Sequence, residues 1–221
     1  MSSYVSHTIG DQCLVMSAER TLFWENQSTL IVADLHAGKT GHFRKEGIGV
    51  PQQVYKDDLH RLVSQIIFFK PERLIIVGDL SHSSFNKEMD LFKRWRNDFP
   101  LLHVHLVKGN HDVLEESWYK EAGIHLENES CYRVNNFLFV HDIFSEEMKQ
   151  DKGHYVFSGH LHPGVSINGR GRQSLHFPCF YFTNKYCVLP AFSRFTGTYS
   201  VRAREGEKIF AITDKNIVAL Q

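Results

Sequence analysis

Leu74-Ile75-Ile76-Val77-Gly78-Asp79-Leu80-Ser81-His82 is the stretch from which the fold can be read. An unbroken apolar run, mostly β-branched, suits a strand buried on both faces. Gly78 interrupts it, and an aspartate and a histidine follow. The same grammar recurs on either side. Upstream, Leu30-Ile31-Val32-Ala33 runs into Asp34-Leu35-His36. Between these runs, Pro51 opens a stretch in which Val54, Leu59, Leu62, Val63 and Ile66 recur at helical spacing, and Pro71 ends it. Downstream, a helix is expected from about Asn86 to Arg96 with Met89, Phe92 and Trp95 on one face. His103 to Val107 then forms a third strand before Gly109-Asn110-His111-Asp112. Strand, helix, strand, helix, strand is the alternation of a doubly wound α/β sheet.

The second half is mostly β. Tyr132 to Val134 and Phe137 to Val140 flank Asn135-Asn136, a hairpin signal. Further strands are expected near residues 155–157, 165–167, 180–183, 186–189, 199–202, 209–212 and 217–220. A β-rich half packed on an α/β half implies an α/β protein with two sheets face to face and helices outside. With no repeat, low-complexity tract or linker, residues 1–221 are expected to form one domain.

Composition narrows the function. The chain has 221 residues, 25 Lys+Arg against 25 Asp+Glu, and 42% hydrophobic residues, values of an ordinary globular protein. Balanced charge excludes gross electrostatic adhesion to nucleic acid as the main device, though a local basic groove is compatible with it. No apolar run approaches the ~18 residues of a membrane span. Residues 1–10 lack the basic and apolar regions of a signal peptide. Cys13, Cys131, Cys179 and Cys187 have no CxxC spacing, so reduced thiols in a cytoplasmic protein are expected rather than a zinc ribbon. The 14 histidines are the anomaly, and many sit beside Asp, Asn or Gly, which points to metal.

Five segments carry such ligands, each after an expected strand: Asp34-Leu35-His36, Gly78-Asp79, Gly109-Asn110-His111-Asp112, Val140-His141-Asp142 and Gly159-His160-Leu161-His162. The carboxyl ends of strands are where α/β folds gather their sites. Singly, each segment is also compatible with a turn, a cap or a core histidine; the ordered set is not. That order resembles the calcineurin-like metallophosphoesterase superfamily. Within it, the chain is similar to the bacterial ligase-associated DNA damage response endonucleases, through residues 34–39, 43–48, 78–83, Leu189-Pro190-Ala191-Phe192 and Phe195-Thr196-Gly197.

The resemblance implies an αββα metallophosphoesterase sandwich and a centre of two divalent ions. Asp79 would bridge them; Asp34, His36 and His162 would complete one ion, and Asn110, His141 and His160 the other. Mixed nitrogen and oxygen donors suit Mn²⁺, Fe or Zn²⁺ rather than Ca²⁺ or Mg²⁺, with Mn²⁺ expected first. His111 would be the histidine that is not a ligand, assisting the leaving group, with Asp112 orienting it; Asp112 could equally cap a helix before Val113. Where many members carry a second acid after Gly-Asp, this chain has His82, a contact to phosphate, an orienter of a ligand or a plain loop residue. Lys39 and Arg44, in an expected loop over residues 39–49, would touch flanking phosphates or form a mobile basic surface. Gly169-Arg170-Gly171-Arg172 reads as a hairpin tip.

The resulting expectation is a phosphodiesterase, a DNA endonuclease of repair acting on single-stranded or structured DNA, in functional association with ligase or helicase proteins and away from membranes. The alternatives are a nucleotide or small-molecule phosphatase or pyrophosphatase, and a non-catalytic protein-binding scaffold.

Overall fold

The computed structural model describes residues 2–82, 85–127, 130–169 and 173–220. In chain order the elements are β1 (Tyr4–Ile9), β2 (Gln12–Ser17), β3 (Thr21–Trp24), β4 (Thr29–Ala33), α1 (Lys39–Lys45), α2 (Gln53–Phe69), β5 (Arg73–Val77), α3 (Lys87–Asn97), β6 (His103–Val107), α4 (Glu116–Glu121), β7 (Ile124–Leu126), β8 (Cys131–Val134), β9 (Phe137–Val140), α5 (Glu146–Gln150), β10 (Tyr155–Ser158), β11 (Pro163–Asn168), β12 (Ser174–Phe182), β13 (Tyr186–Val188), β14 (Tyr199–Ser200), β15 (Lys208–Ile212) and β16 (Ile217–Leu220).

Two mixed sheets result. One runs β1-β2-β3-β4-β5-β6-β7, antiparallel as far as β4 and parallel from β4 to β7. The other runs β14-β11-β12-β13-β10-β9-β8, with β15 added to β12 and β16 to β15. Between them lies a core of alternate side chains: Leu14, Leu22, Trp24, Ile31, Ile75 and Val107 face Phe137, Phe139, Phe157, Phe180 and Phe182. Each fully buried Phe there contributes roughly 1.5–3 kcal/mol. The other faces of β4, β5 and β6 pack against Leu62 and Ile66 of α2, Met89, Phe92 and Trp95 of α3, and Tyr119 of α4. On the outside of the second sheet, Met148 of α5 packs on Cys131, Leu138 and Val140. This is the α/β sandwich expected from the sequence.

Register places the site. Ala33 pairs with Val77 and Val77 with Val107, so β4, β5 and β6 end level, and the residues after them leave from one edge. Val140, Ser158 and Val188 are likewise level at the ends of β9, β10 and β13. Helix α3 begins as expected at Asn86, whose side chain accepts from the Glu88 N–H. Asn135 takes a φ of 51° in the turn joining β8 to β9, the left-handed backbone that Asn tolerates.

Three expectations are corrected. The strands β1 to β3 were not anticipated. Residues 39–45 are helix rather than loop, begun by Gly38 at a φ of 88°. Asp112 caps no helix, because α4 starts only at Glu116 with Glu115 before it.

Candidate metal centre

Five of the seven candidate ligands sit on sharply turned backbone just past strand ends. Asp34, His36, Asp79, His160 and His162 have φ values of 54°, 48°, 47°, 65° and 49°. Backbone of that kind in non-glycine residues persists only where its surroundings over-determine it, and it clusters at functional sites. The surroundings here are bonds between the loops. The Asp34 N–H donates to Gly78 O at 3.1 Å, and His36 N–H to Asp79 O at 2.8 Å. Asp79 Oδ1 accepts the His111 N–H at 2.9 Å, and Asp34 Oδ2 the His160 N–H at 3.0 Å. Space is reserved as well: a β-carbon on Gly78 would run into the His141 ring, and one on Gly109 into the Asp79 carboxylate.

The side chains gather into two adjoining sets. Asp34, His36 and His162 bring ligand atoms within 4.8 Å of one another, and so do Asp34, Asp79 and His141. His36 Nε2 faces His162 Nε2 at 3.5 Å, and His162 Nε2 is 3.5 Å from Asp34 Oδ2. His141 Nε2 is 3.6 Å from Asp79 Oδ2 and 3.1 Å from both Asn110 Oδ1 and His160 Nδ1. All seven ligands expected from the sequence therefore meet. Asp34 belongs to both sets and Asp79, the expected bridge, to the second; Asp79 Oδ1 accepts the His111 N–H as Asp34 Oδ2 accepts the His160 N–H.

The donor set fits divalent cations. Asp34 Oδ1 and His141 Nδ1, 3.8 Å apart, are buried with no hydrogen-bond partner. Uncompensated burial of that kind is costly, and a cation relieves it. Burial first, then Lys39 and the neighbouring histidines, push the His36 pKa down to about 2, so its imidazole is neutral and has a lone pair to give. Burial raises the Asp79 carboxyl, opposed by His141 and the His111 N–H.

The remaining candidates divide. His111 stands at the centre, its ring 5.6 Å from that of His36 and stacked at 4.8 Å on His82. His82 also meets His36, His42 and Phe43, and burial with Lys39 nearby lowers its pKa to about 4. Asp112 is buried, and burial raises its carboxyl to about 6. Its oxygens accept from Ser81 N–H and Gly109 N–H, both at 2.9 Å, and from the Ser81 hydroxyl. It thus pins two ligand loops together, where an orienter of the His111 ring was expected. Lys39 reaches inward: burial lowers its pKa while Asp79 and Asp34 hold it up, and Nζ lies 6.0 Å from the Phe195 ring. Arg44 turns part of its guanidinium to Glu88 Oε1 at 2.7 Å and Val50 O at 3.0 Å. The basic turn read at 169–172 lies, for residues 170–172, outside the described residues. Ser81, Phe43 and Phe195 were not among the expected site residues, although the segments that hold them carry the resemblance to the endonucleases.

Histidine and carboxylate donors converging at the ends of parallel strands, between two sheets, form a candidate centre for divalent metal. The calcineurin-like phosphoesterase family model matches residues 28–167, and the chain belongs to that family. Among solved structures it is similar to the Pseudomonas putida nuclease MPE, with a TM-score of 0.81, 25% identity, and 98% of this chain and 100% of that one covered. It also aligns with YfcE, a phosphoesterase from E. coli, at a TM-score of 0.42 and 13% identity over 87% and 97% of the two chains. No curated protein sequence matches.

Proposed function

We propose that this chain is a binuclear-metal-dependent phosphodiesterase, a DNA endonuclease of repair, with residues 1–221 forming one metallophosphoesterase domain. The observation that carries this reading is the likeness, over nearly the whole of both chains, to a nuclease. Asp34, His36 and His162 would complete the site of one cation and Asn110, His141 and His160 that of the other, with Asp79 shared by the two. Two such ions, Mn²⁺ before Fe or Zn²⁺, supply an activated water and neutralise charge on the phosphoryl oxygens.

The chain's own groups do the rest. His111, held at the centre by its N–H to Asp79, donates a proton to the leaving alkoxide through its ring. His82, stacked on it, keeps that ring from swinging away. Lys39 brings a cation to a non-bridging oxygen or a flanking phosphate. Asp112 keeps the second and third ligand loops in register. Overall charge is balanced at 25 cations and 25 anions, which favours single-stranded or structured DNA over a long duplex, since each phosphate contact wants a cation. A cytoplasmic location is read from cysteines spaced for reduced thiols, and association with ligase or helicase proteins from the resemblance to the ligase-associated endonucleases.

The test is hydrolysis of bis-p-nitrophenyl phosphate and p-nitrophenyl phosphate by metal-stripped protein repleted with Mn²⁺, followed by single-stranded, stem-loop and duplex DNA. A strong diester preference with cleavage inside single-stranded or stem-loop DNA is expected. Preference for the monoester makes the chain a phosphatase, and a metal-loaded protein inert on every substrate makes it a scaffold.

A further inference from the structure

Next to the centre, a short segment after β13 lies alongside the first ligand. Ala191 bridges Ala33 in parallel, Phe192 N–H donates to Ala33 O at 2.8 Å, and Ser193 N–H to Asp34 O at 3.2 Å. Residues 191–193 thus extend the first sheet past the end of β4 and take hold of the Asp34 peptide. With Asp34 N–H bonded to Gly78 O, both sides of that left-handed residue are tied down.

The outward carbonyls of this segment are met by partly buried guanidinium groups. Arg20, in the turn between β2 and β3, donates from Nη1 to Ala191 O at 3.1 Å and to Ser193 O at 2.8 Å. Arg61, on α2, donates from Nη2 to Phe192 O at 2.6 Å and lies over the Phe192 ring at 4.3 Å. Alternate carbonyls of an extended chain point to opposite sides, so one arginine serves 191 and 193 and the other 192. Asp58, one turn before Arg61 and 3.6 Å from it, accepts the Arg194 N–H at 3.2 Å. Burial lowers both arginine pKa values only to about 10, so both are charged at neutral pH.

We propose that Arg20 and Arg61 are positioning residues that set the cation affinity of the centre by clamping residues 191–193 against Asp34. The proposal rests on reading the ligand cluster as a cation site. It gives α2 and the β2–β3 turn, neither of which supplies a ligand, a part in the chemistry. A planar guanidinium laid over the Phe192 ring while it donates to that residue's carbonyl is something arginine provides and lysine does not.

The test compares R20A, R61A and R61K with L62A, a neighbouring truncation on α2 in the same apolar cluster as Phe192 but with no hydrogen bond to residues 191–193. Each metal-stripped variant, shown folded by circular dichroism at 10 °C, is titrated with Mn²⁺ by calorimetry, and amide exchange is read at Phe192, Ser193 and Ile76. R20A and R61A should bind Mn²⁺ at least about 10-fold more weakly, the size usual for groups that support ligands. Exchange should quicken at 192 and 193 but not at 76, R61K should recover only part, and L62A should bind as wild type despite its lower melting temperature. Wild-type affinity in R20A and R61A, or an equal loss in L62A, overturns the clamp. A wild-type chain that takes up neither Mn²⁺, Fe²⁺ nor Zn²⁺ overturns the cation reading instead. The exchange rates tell the two failures apart, because they report the hold on residues 192 and 193 whether or not a cation binds.

Discussion

Asp34, His36, Asp79, His160 and His162 share a backbone conformation whose β-carbon crowding costs roughly 1–2 kcal/mol at each residue. The loops carrying them hold only because neighbouring loops bond to them, so small changes nearby should be felt at the ligands. G78A is the sharpest case, since Gly78 has a φ of 78° and no room for a β-carbon beside His141. It should lose upwards of about 2 kcal/mol of stability in urea and most of its Mn²⁺ binding; wild-type metal affinity in a folded G78A would defeat this account of the loop. H111A should keep its metal by calorimetry and lose at least about 100-fold in turnover. Metal lost together with activity would make His111 a ligand instead. Away from the centre, His7 packs edge-on against Phe182 between the sheets, and burial, then Lys208, lower its pKa. As pH falls below about 6.5 the unfolded chain takes up this proton before the folded one, so folding loses stability down to the depressed pKa. H7F should therefore lose less melting temperature than wild type between pH 7 and pH 5; equal losses would show that His7 contributes nothing. The candidate ligands were legible because five Asp, Asn and His segments follow buried strands in order, although each alone reads equally well as a turn, a cap or a core histidine. Arg20 and Arg61 were not, because an arginine bonded to distant carbonyls leaves no pattern along the chain.

Helix α1 shows how an element can escape a reading by composition. Its glycine and basic residues look like a surface loop, yet Thr40 and Arg44, one turn apart, both bond Glu88 of α3. Glu88 is buried with a side chain only 1% exposed, so Arg44 compensates a charge that water cannot reach. R44A should lower stability by about 2–3 kcal/mol, and R44A/E88Q should regain part of it; an unchanged urea midpoint for R44A would show the pair to be idle. The strands β4, β5 and β6 were readable because parallel strands buried on both faces are apolar throughout. The hairpin of β8 and β9 was readable from its paired asparagines. Strands β1 to β3 were missed because Ser6, His7 and Thr8 dilute the first, and the turn from Ser17 to Thr21 carries neither glycine nor proline. It turns instead through Arg20 at a φ of 65°.

Over the whole molecule, the two sheets are joined by their shared aromatic core and, at one edge, by the ligands themselves. A cation held by groups from both sheets binds the folded chain alone, so its removal should be read globally. With Mn²⁺ at 100 times its Kd the gain is about 2.7 kcal/mol, or roughly 5–10 °C in melting temperature at this size. Melting curves of stripped and Mn²⁺-loaded protein check this, and superimposable curves would exclude a cation joining the sheets. Among the described residues no helix is long and apolar enough to cross a membrane. The bond from His160 N–H to Asp34 Oδ2 spans 126 positions of sequence, and the segment that braces Asp34 comes later still. During synthesis, then, the first ligands leave the ribosome long before their partners exist. A nascent chain that ends before His160 carries half the candidate pocket, so phosphoester chemistry has to wait until residues 160–193 have emerged.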